Sequence, residues 1–406
     1  MSVIYTTLKY SYDDLTIMPA VRSTVNSRRD VNPFKHSDKT NSEVLPIFTA
    51  PMSSVVDLYN LDMWYNNHIT PIIPRNFDYK IRIEYLKKGY WCAFGLSELE
   101  EIYNTFNTFN NTVYILLDIA NGHLSNLLQL CSKVKAKYKD TVKLMAGNIA
   151  NPETLTMYNA CGIDYVRVGI GGGSVCITSS NTGCHVPQGS LVHECYEYKT
   201  NAHLDIKIIA DGGIKNYDDV IKALALGADY VMVGGIFGGF FESAGEIIND
   251  YKQYGSILYI DYVDGTITFG LKYSVPEILQ DESLLPYKVV DIKDTTVFAE
   301  YKDVPLNVLS EEVKRYLIKE YTNMHKGIYG MASKKAQSEL KVKAGQTAEG
   351  IEKLIPCKYT MKQWSKNMED CLRSAMTYCN AQNLNDFIGK QTLVVNSPGE
   401  QNATNK

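Results

Sequence analysis

The stretch Gly169-Ile170-Gly171-Gly172-Gly173-Ser174-Val175-Cys176-Ile177-Thr178 gathers three kinds of chemistry. Its glycines allow a sharp turn and leave amide N–H groups uncovered, which suits an anion. Cys176 is a nucleophile when its thiol ionises. Thr178, two residues on, offers a hydroxyl to relay a proton. Each part has a plainer meaning. A glycine-rich loop is often only a tight connection, and a free cysteine often only a small buried hydrophobe. Further along, Asp211-Gly212-Gly213 and Gly234-Gly235 supply more uncovered amides. With Ser174 they read as a site for one phosphate. Asp211, itself an anion, is suited instead to accept hydrogen bonds from ribose hydroxyls. Asp-Gly-Gly as a plain turn is the competing reading.

Short apolar strand candidates recur at 46–50, 70–73, 91–95, 114–118, 142–147, 165–169, 206–211 and 230–234. Amphipathic helical patterns separate most of them, for example over 124–138, 152–161 and 217–227. Eight strands alternating with helices predict a parallel (β/α)8 TIM barrel, with a doubly wound sheet as the alternative. In such barrels chemistry sits at the C-terminal strand ends, and phosphates often bind after strands seven and eight. The unusual residues here fall at those ends. They include Met52, Arg75, Asp118, Asn121, Gly122, His123 and Asn148, besides the cysteine loop and the two later glycine turns.

The pattern changes near residue 250. Residues 251–273 alternate around Asp264-Gly265, a hairpin signal. A short hairpin is also expected within 22–43, a helix over 310–324 and another over 361–385. The expected division is 1–249 as the main part of the barrel and 250–325 as an insertion after strand eight. Residues 326–395 then form the flap and C-terminal barrel segment, and 396–406 a loose tail.

The chain has 406 residues, 45% of them hydrophobic, and a net charge of -4. Interspersed charge argues against a broad nucleic-acid surface. The nine cysteines include no Cys-x-x-Cys and no zinc spacing. Free thiols in a reducing cytoplasm are the simple expectation. Residues 1–12 lack the apolar core of a signal peptide. No apolar run reaches transmembrane length, so no membrane partner is expected.

Six pieces in order resemble the IMP dehydrogenase/GMP reductase family. They are Gly-Ile-Gly-Gly-Gly-Ser-Val-Cys-Ile-Thr with Val186-Pro187-Gln188, Ala-Asp-Gly-Gly-Ile, Val-Met-Val-Gly-Gly, Glu242-Ser243-Ala244-Gly245-Glu246, Tyr-Gly-Met-Ala-Ser and Leu372-Arg373-Ser374-Ala375-Met376. The resemblance implies a barrel that binds a purine nucleoside monophosphate beside a nicotinamide, as a homotetramer. It makes Cys176 the attacker of purine C2, with Thr178, Glu349 and Arg75 in the proton chemistry. It places Met52, Ser174, Asp211, Gly212, Gly213, Gly234, Gly235, Gly330 and Met331 around the nucleotide. Asp118, Asn121, Gly122, Asn148, Gly169 and Ser333 fall beside the cofactor. Carbonyls of Gly171, Gly173 and Cys176 resemble a potassium site.

Between Met331 and Glu349 there is no arginine or tyrosine of the kind a dehydrogenase flap uses to activate water. The stretch is short, as in a reductase. Asp118-Ile119-Ala120-Asn121-Gly122-His123 and Met145-Ala146-Gly147-Asn148 also resemble the reductase versions. The resemblance therefore points to GMP, NADPH and release of ammonia. IMP dehydrogenase and a catalytically silent purine-nucleotide-binding regulator are the alternatives, and an unrelated barrel lyase or flavin oxidoreductase is a third. The chain departs from the family pattern at Ser53, Pro74-Arg75-Asn76, Gly172, Ile177, Ser179, Cys184-His185 and Asp370-Cys371.

Overall fold

Parallel strands covered on both faces must be apolar along their length, and eight short runs meet that demand. The computed structural model describes residues 7–37, 39, 42–249, 256–263, 266–274, 288–293, 296–300, 324–330, 332–339 and 350–396. The eight runs form β1 (Ile47–Thr49), β2 (Ile72–Ile73), β3 (Trp91–Phe94), β4 (Val113–Asp118), β5 (Val142–Ile149), β6 (Tyr165–Val168), β7 (Lys207–Asp211) and β8 (Tyr230–Val233). They lie in the order β1-β8-β7-β6-β5-β4-β3-β2, every neighbouring pair parallel.

The two ends of that sheet meet. Phe48 bridges to Thr70 in parallel. The Thr49 amide donates to the Thr70 carbonyl at 3.0 Å, and the Thr70 amide to the Ile47 carbonyl at 3.1 Å. The Thr49 hydroxyl then accepts the Ile72 amide at 2.9 Å. The sheet is thus closed, as a (β/α)8 barrel requires and a doubly wound sheet does not.

Aromatic rings plug the end of the barrel where the strands begin. Trp91, Tyr165 and Tyr230 open their strands, and they pack with Tyr114 and Phe48 at ring separations of 5.1–6.5 Å. The Lys35 ammonium sits 4.1 Å from the Tyr230 ring, on the predicted short hairpin, where Lys35–His36 pairs with Glu43–Val44. With this end sealed, access is left to the opposite mouth.

The helix of the eighth unit comes late. Helix Met361–Tyr378 buries Met361, Trp364, Ser365, Met368, Leu372 and Met376, a helical stripe. Its Trp364 ring packs 4.9 Å from Phe237, just after β8. The Thr360 hydroxyl caps its start, accepting the Gln363 amide at 3.1 Å. The expected single helix over 361–385 is two elements. It stops at Tyr378 because Asn380 takes a left-handed conformation (φ 55°), and a separate turn follows at Leu384–Phe387.

Between β8 and this helix, Ile247–Asn249 pairs antiparallel with Met324–Tyr329, which pairs with Glu352–Pro356. The chain between residues 249 and 324 therefore leaves and returns on neighbouring strands. It contains a four-stranded antiparallel sheet, with Ser256–Val263 and Thr266–Ser274 as the predicted hairpin. Residues 310–323 of the expected helix lie outside the described residues, and Met324 opens a strand instead.

Candidate active site

The loop after β6 turns back on itself at once. Gly171 is left-handed (φ 78°), and the Cys176 amide donates to the Gly173 carbonyl at 3.1 Å. Cys176 is half-buried, and its Sγ lies 3.3 Å from the Thr178 hydroxyl, so a proton can pass between them. All nine cysteines are free. Burial pushes the Cys92 and Cys195 thiols far above their ordinary range, and those of Cys131 and Cys357 up to about 12 and about 11. These four are held as inert thiols, whereas Cys176 and the exposed Cys184 lie more open on the segment after β6.

The flap strand closes onto this loop. Cys176 and Ser333 each bridge to Gly350, and the Ile351 amide donates to the Val175 carbonyl at 2.9 Å. A Cβ on Gly330 would lie 3.2 Å from the Val175 side chain. Gly330 and Ser333 therefore stand against the Cys176 loop. Met331 and Glu349 lie outside the described residues. The expected flap after Ser333 begins as a helix, Lys334–Glu339. The Ser333 hydroxyl caps it, accepting the Ala336 amide at 3.2 Å.

The glycine turns come together at the same mouth. The Gly213 amide donates to the Gly172 carbonyl at 2.8 Å. Gly212 (φ 102°) approaches so closely that a Cβ would sit 3.1 Å from the Gly172 carbonyl carbon. A Cβ on Gly235 would sit 2.5 Å from the Ser174 hydroxyl, and one on Gly234 2.8 Å from the Met52 sulfur. Met52, Ser174, Gly212, Gly213, Gly234 and Gly235 thus form one contiguous patch rather than independent turns.

A polar belt crosses the ends of β4 to β7. The Arg167 guanidinium donates through Nη1 to Asp118 Oδ1 at 2.6 Å. Its Nε and Nη2 donate to Asp211 Oδ2 at 3.0 and 2.8 Å. Asn148 Nδ2 donates to the same Asp211 oxygen and to the Gly169 carbonyl, each at 2.7 Å. The Gly122 amide donates to the Asn148 carbonyl at 2.8 Å. Asn121 folds back to accept the His123 amide at 3.0 Å.

A family profile described as IMP dehydrogenase / GMP reductase domain matches residues 97–260. The GMP reductase of Aliivibrio fischeri (strain MJ11) is 34% identical over 263 residues, 61% of this chain and 74% of that protein. GMP reductase 1 of Homo sapiens is 33% identical over 254 residues, 59% of this chain and 72% of that protein. The chain belongs to the IMP dehydrogenase/GMP reductase family. The family's other expected positions sort into two groups. Arg75 joins the Asp118 side: its Nη1 donates to the Asp118 carbonyl at 3.3 Å, and its Nε lies 3.6 Å from Glu98. None of its hydrogen bonds reaches Cys176 or Thr178. His123 is engaged by the segment after β5. The Ala150 amide donates to its Nε2 at 3.2 Å, Thr154 faces its Nδ1 at 3.1 Å, and burial lowers its pKa.

Two departures from the family pattern have visible partners. The Ser53 hydroxyl donates to the Tyr329 hydroxyl of the flap strand at 3.1 Å. His185 Nδ1 holds the Ile170 carbonyl at 2.8 Å, tying the end of the cysteine loop to its start. A cleft of about 360 Å³ lies beside the flap strands, lined by Ser53, Glu246, Tyr329, Lys335 and others. Cys176, Asp118 and Asp211 are not among its walls.

Arg167 was the residue that sequence reasoning passed over. Its signal was there: a lone charge within the apolar run Tyr165-Val166-Arg167-Val168. A guanidinium in a buried strand has to find carboxylates. Asp118 and Asp211, at the ends of nearby strands, were the candidates.

Proposed function

We propose that the protein is a GMP reductase, converting GMP to IMP and ammonia at the expense of NADPH. One observation carries this reading: the Cys176–Thr178 pair lies between the glycine patch and the flap segment Gly330–Ser333–Gly350. In this reading one purine nucleotide lies across the pair, with its phosphate on the glycine patch and its base toward the flap segment. The names of the similar proteins support the reductase branch, as does a flap without arginine or tyrosine.

In this reading the patch around Ser174, Gly213 and Gly235 grips the phosphate through amides and a hydroxyl. Asp211 Oδ1 accepts from ribose hydroxyls. The Cys176 thiolate adds to C2, and Thr178 with Glu349 hands a proton to the departing ammonia. A thioimidate remains on Cys176. Reduced nicotinamide, when bound, supplies the hydride that replaces the amino group at C2. Cys176 then leaves as the thiolate. Overall, GMP, NADPH and two protons give IMP, NADP and ammonium.

Asp118, Asn121, Gly122, Asn148, Gly169 and Ser333 would hold the cofactor, with Arg75 at its edge. Asp118 Oδ2 accepts no hydrogen bond among the described residues and so fits an amide or hydroxyl donor. The carbonyls of Gly171, Gly173 and Cys176 are neutral oxygens on one tight turn, a set that suits a monovalent cation such as potassium. The same reading includes a homotetramer in the cytoplasm. Among the described residues no helix is long and apolar enough to cross a membrane.

The test is to supply GMP with NADPH, and in parallel IMP with NAD. The reading predicts loss of NADPH absorbance matched one to one by ammonia. Reaction only with IMP and NAD would make the protein a dehydrogenase. Nucleotide binding without turnover would make it a regulator.

A further inference from the structure

Asp118 and Asp211 end β4 and β7, and the proposed function gives one to the cofactor and the other to the nucleotide ribose. Both are held by one side chain. Arg167 is buried, with side-chain exposure of 9%, and the two carboxylates are scarcely more open at 13% and 15%. The guanidinium uses one edge for Asp211, through Nε and Nη2, and its far nitrogen, Nη1, for Asp118. Asn148 adds a third donor to Asp211 Oδ2. The division of oxygens is regular. Asp118 gives Oδ1 and Asp211 gives Oδ2 to this belt. Asp118 Oδ2 and Asp211 Oδ1 accept no hydrogen bond among the described residues.

We infer that Arg167 is a positioning residue that joins the two carboxylates into one unit, so that filling either site tightens the other. The inference rests on the proposed purine-nucleotide reading. A planar fork fixed at both ends cannot reorient toward one carboxylate without moving against the other. A ribose that hydrogen-bonds Asp211 Oδ1 therefore immobilises Arg167, and Arg167 immobilises Asp118. The ordering is done once, and the second ligand meets a carboxylate already set. The linkage is reciprocal by thermodynamic necessity. Lysine would keep the charge but not the reach, because an ammonium is a single point and cannot serve both acids in this geometry.

The test measures NADPH binding to the full chain by calorimetry, with and without saturating IMP, a pair that does not react. We expect IMP to tighten NADPH by roughly fivefold or more. In Arg167→Lys the factor should fall below about twofold, with the rate of Cys176 alkylation unchanged. A merely structural role would weaken each ligand alone and leave the factor intact. A preserved factor in Arg167→Lys, or no factor in the unmodified chain, overturns the inference.

A second arm needs no ligand. Asp118→Asn, Asp211→Asn and the double variant are compared by urea unfolding. Joined carboxylates should give non-additive effects, roughly threefold or more in the unfolding constant. In the Arg167→Lys background the effects should become additive. Additivity in the unmodified background overturns the inference even if both nucleotides bind. Failure of IMP and NADPH to bind at all, with non-additivity intact, refutes the nucleotide reading and leaves the carboxylate unit standing.

Discussion

Gly235→Ala separates the phosphate grip from the rest of the site. A Cβ there would lie 2.5 Å from the Ser174 hydroxyl and 3.5 Å from the Ser174 Cβ. The first distance is a clash and the second is ordinary contact. The hydroxyl alone has to move, and a serine χ1 rotation is enough to move it. The backbone at Gly235 opens the helical turn Gly235–Gly238 and is not left-handed, so alanine fits its conformation. Replacing a helical glycine by alanine stabilises by about 0.5–1 kcal/mol, so the variant should fold at least as well. The loss is one hydroxyl turned away from a phosphate. A hydrogen bond to a charged group contributes about 1.5–3 kcal/mol, which predicts GMP binding weaker by roughly 10- to 150-fold. Guanosine, lacking the phosphate, should bind within about twofold of the unmodified chain. Calorimetry with both ligands, beside Ser174→Ala as comparator, reads this directly. Equal weakening for GMP and guanosine would refute a phosphate role for this patch. No weakening for either would refute its place in the site.

Two further outcomes are expected. Alkylation without denaturant should label Cys176 and the exposed Cys184, but not the buried Cys92, Cys131 and Cys195. GMP should protect Cys176 alone, read by peptide mass spectrometry, and equal protection of both would count against nucleotide binding over the sulfur. The second outcome concerns Lys326. Its ammonium is buried where it donates to the Phe241 and Ser243 carbonyls, and burial lowers its pKa from 10.5 to about 8. Between those values the unfolded chain holds a proton that the folded chain has released. Stability from this position is therefore lowest below pH 8 and rises toward pH 10.5, by up to about 3 kcal/mol. The neutral amine still has N–H groups for both carbonyls. Urea unfolding at pH 7 and pH 10 should show the unmodified chain gaining on Lys326→Met, and a constant gap would contradict the shift.

The barrel was legible because its strands are short apolar runs ended by glycine or polar residues, and all eight fell where the pattern put them. The glycine patch was legible as separate turns. Their contact across loops, such as Gly235 against Ser174, depends on barrel closure and left no local trace. The helical pattern at 361–385 runs past the true end because Asn380 can serve as a helical residue or as a left-handed stop, and its surroundings decide which. The helical start of the flap depends on Ser333 acting as a cap, which the lysine-rich stretch after it does not announce. Arg167 could have been read from its isolation in an apolar strand. Which acids it would bridge was fixed only by the strand order.

The account depends on a bond between the Cys176 sulfur and C2 of the purine. Acid quenching of the protein during turnover of GMP with NADPH, followed by intact-protein and peptide mass spectrometry, tests that bond. The account predicts a mass increment of a nucleotide less ammonia, confined to the peptide carrying Cys176, absent in Cys176→Ala and discharged as IMP forms. Turnover that proceeds with no adduct, or that survives in Cys176→Ala, would contradict it.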